Sequence, residues 1–374
     1  MSRLGSLGHR LYAGEVSYDF VGRSKRWYII SAVIVLIAIA AVLIRGLNFG
    51  IEFRGGADFS LSNATCTVEQ ARDVAEEATG AQSIVTQTAS GTVRVQTETL
   101  TPERSSEVAG LLAEACGIPK DEVRVQVVGP TWGQEISSKA LQGLLIFILL
   151  VTIFLSIYFE WRMAIGALVA LAHDLIITVG IYALVGLEVT PATVIGLLTI
   201  LGYSLYDTVV VFDKVKENTR GVTGQSVLTY AEAANLAVNQ TLVRSINTSV
   251  VALLPVVAII IVGAGLLGAG TLLDLAVVLA IGMAAGTYSS IFIATPVLVD
   301  LKNRQPEIKA LQARVLARRK AGRTEASPRG AGEGDDADGD DESTGDGTTS
   351  GSPSTRVPGG PRQQPRRQAR SRRR

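Results

Sequence analysis

Histidine and cysteine are nearly missing from this chain, with two of each in 374 residues. Two histidines cannot furnish a His-rich metal centre, and no metal or cofactor is implied. Neither a Walker A loop nor a nucleophile elbow occurs, so P-loop phosphate chemistry and serine-hydrolase chemistry both lack their residues. The one formal GxGxxG match, Gly263 to Gly268, lies between two apolar runs, follows no strand and leads to no suitably placed acid. It reads as a close turn of small residues, not as a dinucleotide site. Charged residues make up only 18% of the chain, and the net charge of +1 identifies no partner. No enzyme or nucleic-acid-binding constellation survives these absences.

Apolar sequence is abundant: 47% of the residues are hydrophobic and the mean hydropathy is +0.31. Six runs, 27–44, 140–159, 163–185, 190–212, 246–265 and 275–299, each approach the ~20 residues that a helix needs to cross a bilayer. The expected fold class is therefore a polytopic α-helical membrane protein with six transmembrane helices. Arg45 follows the first run without a small-residue cleavage site, so this run reads as an uncleaved anchor. Lysine and arginine cluster at alternate turnarounds: Arg23, Lys25 and Arg26, then Arg162, then Lys214, Lys216 and Arg220. The positive-inside rule puts these in the cytoplasm and places 45–139, Gly186 to Thr190 and Gly263 to Asp274 outside. Both termini, 1–26 and 303–374, are then cytoplasmic.

The outer segment 45–139 carries one small α+β unit in the order strand, helix, strand, strand, helix, strand. Asp58 to Ser62 alternates as a strand, and Thr67 to Thr79 sets Val68, Ala71, Val74, Ala75 and Ala78 on one helical face. Ser83 to Thr88 and Thr92 to Thr99 form a hairpin around Ser90-Gly91, and Pro102 opens a second helix with Val108, Leu111, Leu112 and Ala115 along one side. Glu122 to Val128 closes the unit, and the array suits a ferredoxin-like βαββαβ sandwich. Cys66 and Cys116 fall at helix ends on one edge of such a sandwich. An oxidising compartment permits a bridge between them, and two independent core thiols are the alternative. From Asn303 the tail is first Gly/Asp/Ser/Thr-rich and acidic, then arginine-rich, and is expected to be disordered, either as a solvated tail or with its basic end on anionic lipid or a ribosome.

Asp174 and Asp207 stand inside two adjoining apolar runs, where a carboxylate costs at least about 2.5 kcal/mol unless it faces a partner, an ion or water. Transport or energy coupling is the default reading, and hydrogen-bonded helix pairing is the plainer one. At 1.5 Å per residue, Asp174 lies about 16 Å into its run and Asp207 about 24 Å along the next. Arg244, at the start of the fifth run, is level with Asp207 and is its expected ion partner. Ala167, Ala170 and Thr178 line the Asp174 face; Gly196, Tyr203 and Ser204 line the Asp207 face. His173 projects about 100° away from Asp174, and Asp213, followed by Lys214, reads as interfacial. Gly282, Gly286 and Ser290 recur at intervals of four and allow close helix packing.

Five segments together carry a resemblance. Gly50-Ile51-Glu52-Phe53-Arg54-Gly55-Gly56, Ala172-His173-Asp174, the run from Tyr203 to Asp213, Thr241-Leu242-Val243-Arg244-Ser245, and Gly286-Thr287-Tyr288-Ser289-Ser290-Ile291 are similar to signatures of the SecF branch of the SecD/SecF protein-export family. The similarity covers about residues 15 to 302 in order. It implies a resistance-nodulation-division type of assembly with SecD in the bacterial cell membrane, working with the SecYEG channel and the SecA motor on translocating polypeptides. It further implies use of the proton-motive force after SecA-driven insertion, with Asp207 and Arg244 on the proton path and Asp174 beside them. Tyr206 stands where the family often has Asn. An efflux-type proton-coupled transporter of the same superfamily is the alternative, although such pumps carry two large outer insertions and this chain has one short one.

Overall fold

The computed structural model describes residues 17–87, 91–262 and 270–325. An apolar run free of glycine and proline forms helix α1 (Ser24–Arg45), which Gly46 ends at φ 70°. The glycine-rich motif after it folds into strand β1 (Asn48–Phe49) and a single turn, α2 (Ile51–Arg54), ended by Gly55 at φ 79°. Gly56, at φ 148°, leaves no room for a side chain, because a Cβ there would sit 2.6 Å from the Thr97 carbonyl oxygen.

An α+β unit follows: β2 (Gly56–Leu61), α3 (Val68–Thr79), β3 (Ile84–Gln87), β4 (Val93–Thr97), α4 (Pro102–Cys116) and β5 (Val123–Val128). Thr67 and Gln70 make a reciprocal capping box at the head of α3, and Thr101 caps α4 with Pro102 in its first turn. The strands lie in the order β3-β4-β2-β5, and every neighbouring pair is antiparallel. Phe59, Leu61, Val93, Val95, Val108 and Leu112 are buried between sheet and helices. The Ser90 end of the expected hairpin lies outside the described residues. Cys66 and Cys116 are joined by a disulfide with their Cα atoms 4.5 Å apart.

Helix α5 (Pro130–Tyr158) begins ten residues before its apolar run, with proline in its first turn. Gly133 packs there so tightly that a Cβ would lie 2.5 Å from the Phe53 carbonyl oxygen. The chain continues through α6 (Trp161–Val185), β6 (Glu188–Val189), α7 (Pro191–Asn218), α8 (Tyr230–Val262) and α9 (Gly270–Ser289). A π turn, Ser290–Ala294, joins α9 to α10 (Thr295–Asn303) without a break. Among the described residues, six helices, the last formed by α9, the π turn and α10, are long and apolar enough to cross a membrane. Strand β1 pairs in parallel with β6, tying the glycine-rich motif to the connection between α6 and α7. The Gly263-to-Gly268 turn lies outside the described residues.

The tail departs from expectation at its start. Pro306–Glu325 forms a helix, α11, and Ile308, Leu311 and Val315 are buried against the main core with Val222 and Tyr230. Their spacing of three and four makes an apolar stripe short enough to be masked by the surrounding lysines and arginines. The acidic and arginine-rich remainder, from Ala326 onward, lies outside the described residues.

Candidate functional site

Helices α6, α7, α8 and α9 converge on the two carboxylates. Small residues allow this approach: a Cβ on Gly282 would lie 2.2 Å from Ile200, and one on Gly286 would lie 2.9 Å from the Ser204 Cβ. Asp174 on α6 has no solvent exposure, and its Oδ2 accepts hydrogen bonds from Ser204 Oγ at 2.5 Å and Ser289 Oγ at 2.8 Å. Asp207 on α7 is also buried. Its Oδ1 accepts from Ser245 Oγ at 2.6 Å and its Oδ2 from Ser290 Oγ. A serine hydroxyl can donate to a carboxylate or accept from a carboxylic acid, so both cages tolerate either protonation state.

Ser204 therefore serves Asp174, although it shares a helix face with Asp207; the intervening turn carries it toward α6. Arg244 is brought near the site but forms no ion pair with Asp207 among the described residues. Its Nη2 donates to the Tyr206 hydroxyl at 3.4 Å, and the guanidinium is exposed. Ser245, one residue on and about 100° around α8, occupies the inward position that was expected for Arg244. His173 is closer to Asp174 than its helical offset suggests, with Nδ1 3.3 Å from Oδ1, and its ring stacks on Tyr288. Its other ring nitrogen is buried without a partner. Asp213 is exposed on α7, and Phe53 packs beside Tyr182, Val189, Ile200 and Val278.

Hydroxyl groups extend from Asp207 along the α8–α9 seam. Ser249 Oγ donates to the Ser245 carbonyl at 2.8 Å and lies 2.6 Å from Thr287 Oγ1. Beyond them the seam closes on an apolar cluster of Val256, Ala276 and Met283. Sequence reasoning missed Ser245, Ser249 and Thr287 as parts of the site. Ser245 and Ser249, four residues apart on α8, were the available signal.

A second polar cluster joins the α+β unit to the helices. Arg94 on β4 reaches Asp58 on β2 at 2.6 Å and Glu188 on β6 at 2.5 Å, and Gln96 donates to both carboxylates. Burial raises the Asp58 carboxyl above its ordinary value, against the pull of Arg94. Burial opposes the Arg94 charge, but the Asp58 and Glu188 carboxylates outweigh it and raise its pKa.

Comparison with known proteins places this arrangement. Residues 111–304 match the model for the C-terminal region of the SecD/SecF protein-export membrane proteins, and residues 40–57 match the SecD/SecF GG motif. The chain belongs to the SecD/SecF family. It is 54% identical over 337 residues to protein translocase subunit SecF of Streptomyces coelicolor, covering 89% of this chain and 90% of that one. Identity to the Mycobacterium tuberculosis SecF subunit is 46% over 332 residues, covering 84% and 75%. The crystal structure of SecDF from Thermus thermophilus superposes with a TM-score of 0.68 at 32% identity, covering 77% of this chain and 39% of that chain. This chain thus spans about two fifths of that SecDF. The family and the six apolar helices make it a multi-pass membrane protein with a role in Sec-dependent export, related to SecD.

Proposed function

We propose that this chain assembles with a separate SecD subunit and uses proton entry at Asp207 to help complete translocation of polypeptides that SecA has driven into SecYEG. The observation that carries this reading is the pair of buried carboxylates that, among the described residues, are held by serine hydroxyls and an imidazole within membrane-length apolar runs. A purely structural acid is best fixed by donors that favour one charge state. These cages accept both, as a site that loads and releases a proton must. The hydroxyl seam through Ser249 and Thr287 supplies the approach, and the Val256–Ala276–Met283 cluster the dry barrier that makes passage conditional.

The outer unit, 56–128, is a ferredoxin-like sandwich on the extracytoplasmic side, and both termini are cytoplasmic; the Lys/Arg asymmetry supports this orientation. Exposed Leu36 and Ile37 on α1, and Leu149 and Ile157 on α5, supply apolar surface for lipid. Arg244 is the charge that Asp207 meets in the alternative state, when its serine cage opens. The deciding experiment is proton-motive-force-dependent export in vesicles with equal amounts of SecD. Asp207→Asn, with assembly intact, is expected to abolish the stimulation, and wild-type stimulation by that variant would reduce the carboxylate to a structural role.

A further inference from the structure

We propose that Ser289 and Ser290 are positioning residues that couple Asp174 to Asp207, so that a proton loaded at one carboxylate is felt at the other. This rests on the reading of Asp207 as the proton-loading group. A closed ring of contacts runs from Asp174 on α6 to Ser204 on α7, down one turn to Asp207, across to Ser290, back one residue to Ser289 and again to Asp174. In the last span a single peptide bond, Ser289–Ser290, separates the two cages. That bond lies where α-helix changes to π turn, a helical irregularity that recurs at functional sites.

Each hydroxyl has a second acceptor prepared. Ser289 Oγ also lies 3.2 Å from the Gly286 carbonyl oxygen, and Ser290 Oγ 3.1 Å from the Thr287 carbonyl oxygen. While its carboxylate is ionised, the hydroxyl proton points to it. When the carboxyl takes a proton, the acid donates to the hydroxyl oxygen, and the hydroxyl proton turns to its own helix. No proton leaves the serine; only the direction of donation reverses. Because the two serines share one turn, reversal at Ser290 commits its hydroxyl to the Thr287 carbonyl of the same turn that places Ser289 against Asp174. The titratable groups around the ring are His173 and Asp174 on α6, Tyr203, Tyr206 and Asp207 on α7, Arg244 on α8 and Tyr288 on α9.

The test uses the full chain with its SecD partner in vesicles. Ser289 touches Asp174 and not Asp207, so Ser289→Ala is expected to displace the pH profile of proton-driven export by about one unit, and Ser289→Thr to restore it. A uniform loss of export on an unmoved profile, or no effect, would overturn the coupling. Should Ser289→Ala fail to assemble, infrared difference spectra between acid and neutral pH on the Asp207→Asn complex decide instead. The carboxyl band of Asp174 should then move relative to wild type, and an unmoved band rejects the proposal. If Asp207→Asn itself exports like wild type, the proton-loading reading has failed and not merely the coupling.

Discussion

Ser289 and Ser290 are consecutive residues whose hydroxyls are bound to different buried acids, Ser289 to Asp174 at 2.8 Å and Ser290 to Asp207. Side chains one residue apart on a helix diverge by about 100°. The junction of α9 and the π turn therefore serves two neighbouring helices at once, and this contact depends on how closely α9 approaches α7.

Gly286 sets that approach, because a Cβ there would lie 2.9 Å from the Ser204 Cβ and 3.2 Å from its Oγ. Gly286→Ala must push α9 from α7 or turn Ser204 away from Asp174. A loss of about 1–3 kcal/mol is expected from overpacking, read as a lowered thermal midpoint of the purified complex. Gly202→Ala is the control, since no atom lies within 4 Å of its would-be Cβ. Equal midpoints for the two variants would contradict the close-packing account.

The α+β unit should respond to pH through Asp58. Its folded-state pKa is raised above the ordinary 3.8, so between those two values the folded protein binds more proton than the unfolded chain does. Stability from this group is fully present below the unfolded value and is lost as pH rises through the folded one. Hydrogen exchange of the β2 and β4 amides in the full chain should quicken across that window. Asp58→Asn should flatten the slope, and an unchanged slope would assign it to another group.

The Cys66–Cys116 bridge closes a loop with a sequence separation of 50, which the chain-entropy model values at about 4 kcal/mol before any strain is deducted. Denatured, unreduced protein taken from the membrane should show neither thiol to a labelling reagent. Full labelling of both would mean that the outer unit holds two reduced cysteines.

Orientation is open to a cysteine-accessibility scan. Thr97 is buried in β4, but Glu98 beside it is exposed, as is Gly221 at the far end of α7. Glu98→Cys should react with an impermeant reagent in intact cells and Gly221→Cys only after the membrane is opened. The opposite pattern would invert the chain and move Asp207 toward the outer face.

The spans and the strand–helix order were legible in the sequence because each is a local signal: run length for the helices, and alternation or a three-to-four spacing for the outer unit. Rotation of one helix against another is not local. From sequence, Ser204 belonged to the face of Asp207 and Arg244 to its partner; packing turns Ser204 toward Asp174 and gives Asp207 to Ser245 and Ser290. The β1–β6 pair is two residues long, too short for any alternation to register. In α11 three apolar side chains suffice to dock a strongly basic helix, and tertiary burial outweighs a composition typical of disorder.

Arg244 supplies the sharpest test of whether the serine cage is one of two states. Its guanidinium reaches the Tyr206 hydroxyl at 3.4 Å, while Asp207 faces Ser245 and Ser290. A switch that moves Asp207 to Arg244 needs a permanently charged, planar donor able to take both carboxylate oxygens. Lysine keeps the charge and loses the fork. Arg244→Lys is therefore expected to assemble normally yet lower proton-driven export about tenfold, equivalent to about 1.4 kcal/mol. Tyr206→Phe, which frees the guanidinium from its present acceptor, should retain export. Export at the wild-type level with lysine would show that bidentate pairing is not used, and that any encounter with Asp207 needs only a positive charge nearby.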